Sequence, residues 1–222
     1  MLHGVPKRRR SALCIAAVVL AAGISPLSAH EPEQLLDVPG FRPESPYAAA
    51  FVESLDTATI AVYPTLVRRA DRTAVSYRSQ SQIMERLEAA GLSAIRVNKR
   101  IDLGRILHRS QWEIFQKDMA RIAGAVEGLQ TRAQYHLVLE FLLPVSDEWI
   151  FGIECYVLDR QGNNAMSFLL NSHHRAFAEA GLAADDDSEA ARLAMETRAT
   201  AAALEALLAN IEQERGVRPL VR

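Results

Sequence analysis

Cysteine is nearly missing from this chain of 222 residues: it has two, Cys14 and Cys155. They lie in segments of different character, and no Cys-x-x-Cys or His-Glu-x-x-His spacing accompanies them, which removes the common zinc and redox signatures. No Gly-x-Ser-x-Gly elbow, phosphate-binding glycine loop or dinucleotide fingerprint is present either. Low-complexity stretches and internal repeats are absent. Excess positive charge is missing too: 25 basic residues stand against 27 acidic ones. Nucleic-acid binding by charge wants clustered surplus Lys and Arg, so no nucleic-acid partner is expected. With 49% hydrophobic and 23% charged residues, the composition is that of a globular chain rather than a disordered one.

What is present begins with an address. Lys7, Arg8, Arg9 and Arg10 precede an apolar run from Ser11 to Ile24, followed by Ser25, Pro26, Leu27, Ser28 and Ala29. A basic start, a short apolar run and small residues at the end make a secretory signal peptide, expected to be cleaved after Ala29. The run is about 14 residues, short of the roughly 20 that span a bilayer. Leu13 before Cys14 does not suit a lipidation site. Cleavage lowers the 25 basic residues to 21, a balance of −6 against the 27 acidic ones. It also leaves Cys155 alone, mid-strand, as a small buried side chain. The expected location is periplasmic or secreted, with no stable membrane span after cleavage.

Residues 30–44, with Pro32, Pro39 and Pro43, read as an extended, mobile lead-in. Ser45-Pro46 opens a short helix with Ala48, Phe51, Val52 and Leu55 on one stripe. Thr57–Tyr63 is a β-branched strand that stops at Pro64. Residues 65–78 read as a polar, arginine-bearing loop. Ser79 and Gln82 fit a capping box for a helix that Gly91 ends. Leu92–Val97 is the next strand, and 98–109 a basic connection. Ser110 and Glu113 open a longer helix with Phe115, Met119, Ile122 and Val126 as its buried stripe. Three strands follow. Tyr135–Leu143 is apolar throughout, as in a strand covered on both faces. In 148–158, Trp149, Phe151, Ile153, Cys155 and Val157 form the more apolar face and are assigned to the core. Asp159–Asn163 makes a tight turn into 165–171. A final helix at about 188–213 carries Leu193, Thr197, Ala201, Leu204, Leu208 and Ile211 as its stripe, with Asp185, Asp186 and Asp187 before its start.

The order α-β-α-β-α-β-β-β-α predicts an α/β fold: an open mixed sheet of about five strands with helices packed on it. The expected organisation is a leader at 1–29, the lead-in at 30–44, one domain at 45–215 and a tail at 216–222. The succession of TIAVYP, a helix, GLSAIRV after Gly91, a helix, YHLVLEF and a hairpin with Leu158-Asp159…Gly162 at its turn resembles the amino-terminal domain of TolB. The related domains of curli-secretion and penicillin-binding-protein-activator lipoproteins share the pattern. The likeness spans about residues 57–213. It departs from those proteins in lacking a lipidated cysteine and TolB's propeller. It implies a periplasmic domain that binds other proteins and has no active site of its own.

Two kinds of candidate residue stand out. Arg68, Arg69 and Arg72 in the first basic loop, and Arg100 and Arg105 in the second, offer planar donor forks to anions or partners; as a bland alternative they are solvated loop charges. Asn171, Ser172, His173 and His174 form the one conspicuous polar cluster. Adjacent histidines point to opposite faces of a continued strand, so one ion would need a turn to take both. The expectation is a non-catalytic envelope binding or accessory protein with a protein partner and no cofactor. The alternative is a small metal-dependent hydrolase centred on His173 and His174, with Asp185 as its acidic partner.

Overall fold

The computed structural model describes residues 35–69, 72–104, 110–127, 129, 131–144, 149–183 and 188–216. The expected leader, Arg105, Asp185 and the end of the tail lie outside them. In chain order the elements are α1 (Ala48–Ser54), β1 (Thr59–Val62), β2 (Thr65–Arg68), β3 (Thr73–Ser76), α2 (Tyr77–Ala89), β4 (Ser93–Arg96), α3 (Gln111–Glu127), β5 (Tyr135–Leu142), β6 (Gly152–Asp159), β7 (Asn164–Leu170), α4 (Arg175–Glu179) and α5 (Glu189–Gly216).

The fold is mixed α/β, with one seven-stranded sheet centred on β5. β1 and β2 both run parallel to β5: Ile60–Val62 lie beside Tyr135–Leu137, and Leu66–Arg68 beside Glu140–Leu142. Pro64 separates them because it has no N–H to give the ladder. The two halves then take different outer neighbours, β4 parallel to β1 and β3 antiparallel to β2. β6 runs antiparallel to β5, and β7 antiparallel to β6. The sheet is therefore five positions wide, with two of them split.

Each face has its own core. On one, Phe51 and Leu55 of α1, Ile83 and Leu87 of α2, and the alanine-rich side of α5 cover Leu137, Leu139, Phe141, Ile153 and Cys155. On the other, Phe115, Ile122 and Val126 of α3 cover Ala61, Leu66, Val138, Tyr156 and Leu158. Both faces of β6 are thus buried, including the one expected to be the less apolar, because α3 lies over it. Cys155 is a buried free thiol, as expected. The stripe of α5 matches the expected one in part: Leu204 and Ile211 are buried as expected, Leu193, Thr197 and Leu208 are half-buried and Ala201 is exposed, while Met195, Ala199, Ala203, Ala206 and Leu207 are buried beside them. Small residues on the buried side let a long helix approach the sheet closely.

Several expectations need correction. The supposed loop 65–78 holds β2, β3 and the start of α2. α2 begins at Tyr77 rather than at Ser79: Ser76 is its N-cap and accepts from the Ser79 N–H at 3.3 Å. Tyr47 precedes α1 with no side-chain cap, while Ser45 Oγ donates to the Asn164 carbonyl. The described part of the lead-in is held rather than mobile. Phe41 exchanges two backbone hydrogen bonds with Leu169, at 2.8 and 3.0 Å, and Leu36 N donates to His173 O at 2.8 Å. Asn210 Nδ2 donates to Pro39 O at 2.6 Å, and Arg42 pairs with Glu214 at 3.1 Å. This segment covers part of the β7 edge, where unpaired backbone groups would otherwise stand open. Gly40 makes the bend with φ +96°; a Cβ there would lie 3.0 Å from Leu169 O.

Candidate functional site

The polar segment Asn171–His174 turns the chain between β7 and α4. Asn171 organises it: its Oδ1 accepts from the His173 N–H at 3.1 Å, and its Nδ2 donates to Gln111 Oε1 at 3.0 Å. The Asn171 N–H donates to His174 Nδ1 at 3.2 Å. Asn171 Oδ1 also lies 3.1 Å from Nδ1, and Nε2 is buried without a partner. Burial lowers the His174 pKa, and the charge of His173 adds to this against the Asn171 hydrogen bond, so the ring is neutral at pH 7. Ser172 and His173 are exposed. The histidines therefore diverge, one into the protein and one to solvent.

Beside them lies a cleft of about 440 Å³. Leu36, Phe41, Trp112 and Leu169 give it apolar walls; Gln111, Asn171 and His173 give it polar ones. Phe41 is 51% exposed and meets Trp112 edge-to-face at 4.9 Å. Trp112 stacks on Phe115 at 5.4 Å, and Phe115 on Tyr156 at 5.1 Å, so an aromatic ladder runs from the cleft into the core. Gly152 makes room for Gln111: a Cβ at this position would sit 2.3 Å from Gln111 Nε2. A second hollow of about 450 Å³ between α2 and α5 is rimmed by Glu85, Arg86 and Glu205, the solvated seam of two packed helices.

At the inner end of the ladder is a group of charges that the sequence reading did not assemble. Arg68, expected on a surface loop, is 1% exposed. As the last residue of β2 it points to the α3 side of the sheet. Its Nη2 pairs with Asp118 of α3, and its Nε lies 2.5 Å from Glu140 Oε1 of β5. That second contact is an ion pair without hydrogen-bond alignment. Glu154 of β6 accepts from the Tyr156 hydroxyl at 2.5 Å. Asp118, Glu140 and Glu154 bring one oxygen each to within 4.8 Å of one another, and all three are buried. Burial raises the Glu140 pKa well above the carboxylate range; Arg68 opposes this, while Glu154 and Asp118 add to it. Burial likewise pushes Glu154 up to about 8, against the Tyr156 hydrogen bond. For Arg68, burial pulls the pKa down, but Glu140 and Asp118 outweigh it and the guanidinium stays charged.

The other candidates scatter. Arg69 N donates to Arg72 O at 2.8 Å between β2 and β3, and Arg100 Nη2 donates to Thr73 O at the start of β3. These three stand on the hairpin side of the sheet and do not join the histidine cleft.

No protein-family model matches the chain, and no curated protein matches it.

The sequence did carry a signal for the buried group. Glu140 interrupts an apolar run, Glu154 does the same, and Asp118 sits in the buried stripe of α3. A carboxylate in such a place requires a partner.

Proposed function

We propose that the chain is an exported, non-catalytic binding protein of the cell envelope, and that its cleft beside Asn171 and His173 receives an apolar, aromatic-bearing segment of a protein partner. The lining of the cleft carries this reading. Leu36, Phe41 and Trp112 hold apolar surface at its mouth, ringed by side chains that donate and accept hydrogen bonds. An aromatic anchor inside a polar rim is the usual make-up of a protein-binding hot spot. The unpartnered His174 Nε2 in the wall is a buried polar atom that a hydrogen-bonding group of the incoming segment would satisfy. The resemblance to the TolB amino-terminal domain and the leader pattern at residues 7–29 point the same way. The hydrolase alternative lacks a specific observation in its favour: among the described residues the one group of three possible metal ligands excludes both histidines.

Site-specific photo-crosslinking in the native envelope tests the proposal. A photoreactive residue at position 41 or 173 is expected to give one discrete adduct that a photoreactive residue at position 85, on the far hollow, does not give. Equal labelling from all three positions, or none from 41 and 173, contradicts it.

A further inference from the structure

The three buried carboxylates and Arg68 present an imbalance that the fold itself does not resolve. With all four ionised, the group holds two more negative charges than positive ones, and the desolvation cost is several kcal/mol per unbalanced ion. Arg68 reaches Asp118 and Glu140 only. Both oxygens of Glu140 lack a hydrogen-bond donor, and so does Glu154 Oε1. Protonating an acid converts one oxygen to a donor that then needs its own acceptor. A divalent cation takes all the orphaned oxygens as ligands and cancels both surplus charges.

We propose that Asp118, Glu140 and Glu154 form a binding site for one divalent cation of the oxygen-preferring class, Mg2+, Mn2+ or Ca2+, with Arg68 beside it as a fixed counter-charge. The donor set is oxygen only, which selects this class over softer metals. Oxygens on opposite sides of such an ion lie roughly 4–5 Å apart, and the three carboxylates bring theirs within 4.8 Å. The ligands come from α3, β5 and β6, so the ion would tie the helix to the sheet. Glu140 and Glu154 are opposite one another in the β5–β6 ladder, which fixes two of the ligands on rigid backbone. Arg121 marks the way in. It is half exposed, lies 3.7 Å from Asp118 and donates to the Leu103 carbonyl, so it links the buried group to the protein surface. The site does not depend on the partner-binding reading of the cleft.

The test uses the folded mature chain stripped with EDTA, with MnCl2 as probe at pH 8. Free Mn2+ is followed by electron paramagnetic resonance. The expected result is uptake of one Mn2+ per chain and a rise in Tm of about 5–10 °C at a hundredfold excess over Kd. Glu154→Gln keeps an acceptor for Tyr156 and is expected to weaken uptake at least tenfold; Asp118→Asn serves as the second variant should Glu154→Gln fail to fold. Glu88→Gln, on the exposed side of α2, is expected to bind as wild type. If folded wild-type protein takes up none of Mn2+, Mg2+ and Ca2+ at pH 8, or if the Glu154→Gln and Asp118→Asn variants take up Mn2+ as well as wild type, the proposal is overturned and the group is balanced by protons alone.

Discussion

Glu140 and Glu154 sit directly opposite each other on neighbouring strands, facing α3, and both side chains are wholly buried. Like charges in this relation repel. Arg68 reaches the pair from β2 and opposes that repulsion, with its Nε 2.5 Å from Glu140 Oε1 and its Nη2 on Asp118 of α3.

The first prediction concerns pH in the presence of EDTA. Glu154 has its folded pKa raised to about 8, and that of Glu140 is raised as well. The folded state therefore holds protons that the unfolded chain, with ordinary carboxylates, gives up. This contribution to stability is full below the ordinary carboxylate range and is lost as the pH rises through about 8. Urea midpoints are expected to fall between pH 5.5 and 8.5, and Glu154→Gln to flatten the slope. A midpoint that rises over this range contradicts the assignment.

His136 predicts the opposite limb. Its Nδ1 and the Tyr63 hydroxyl are 2.9 Å apart in the core, and burial, with Arg160 adding, lowers its pKa to about 4. A neutral histidine in the folded state costs stability as the pH falls from about 6.5 towards 4, because only the unfolded chain takes the proton freely. His136→Gln is expected to shallow the acid limb of the stability profile without changing the alkaline one.

Removing the cation of the buried group leaves its carboxylates without a counter-charge. Arg68→Ala is expected to cost about 3–5 kcal/mol in urea unfolding, the range for breaking a buried ion pair from one side. Arg100→Ala, whose partner is an exposed carbonyl on β3, is expected to cost less than about 1 kcal/mol. If the two costs are equal, Arg68 is not the buried counter-ion described here.

Gly40 lets residues 36–41 close over β7. An alanine there meets both a positive φ and a carbonyl 3.0 Å away, with an expected cost of about 1–3 kcal/mol. The local signature is more specific than the stability change. Amide exchange at Phe41 and Leu169, which donate to each other's carbonyls, is expected to accelerate while that of β5 is unchanged.

Much of the sheet was legible in the residues. The β-branched run ending at Pro64, the apolar 135–142, the turn at Asp159–Asn163 and the glycine after α2 each carry a local signal. β2 and β3 were hidden by Arg68, Arg69 and Arg72, which end one strand and precede the other. Arg68 reads as a loop residue until its partners are known, and those partners stand 50 and 72 positions away in the chain, at Asp118 and Glu140. A strand whose charge is neutralised only by tertiary contact cannot be distinguished by pattern from a solvated loop. The same holds for the face of β6 that carries Glu154: alternation alone does not reveal that α3 covers it. The histidine segment was visible as a polar cluster. Its apolar surroundings were not, because Leu36 and Phe41 of the lead-in and Trp112 of α3 come from two separate stretches that only the fold brings together.

Partner recovery from the native envelope bears most directly on the cleft as a binding surface. The tagged mature chain and its Phe41→Asp variant are compared, since the Phe41 side chain is half exposed and its backbone pairing with Leu169 is kept. Wild type is expected to recover a partner, and the variant at least tenfold less of it at an unchanged Tm. Equal recovery by the two proteins contradicts the account.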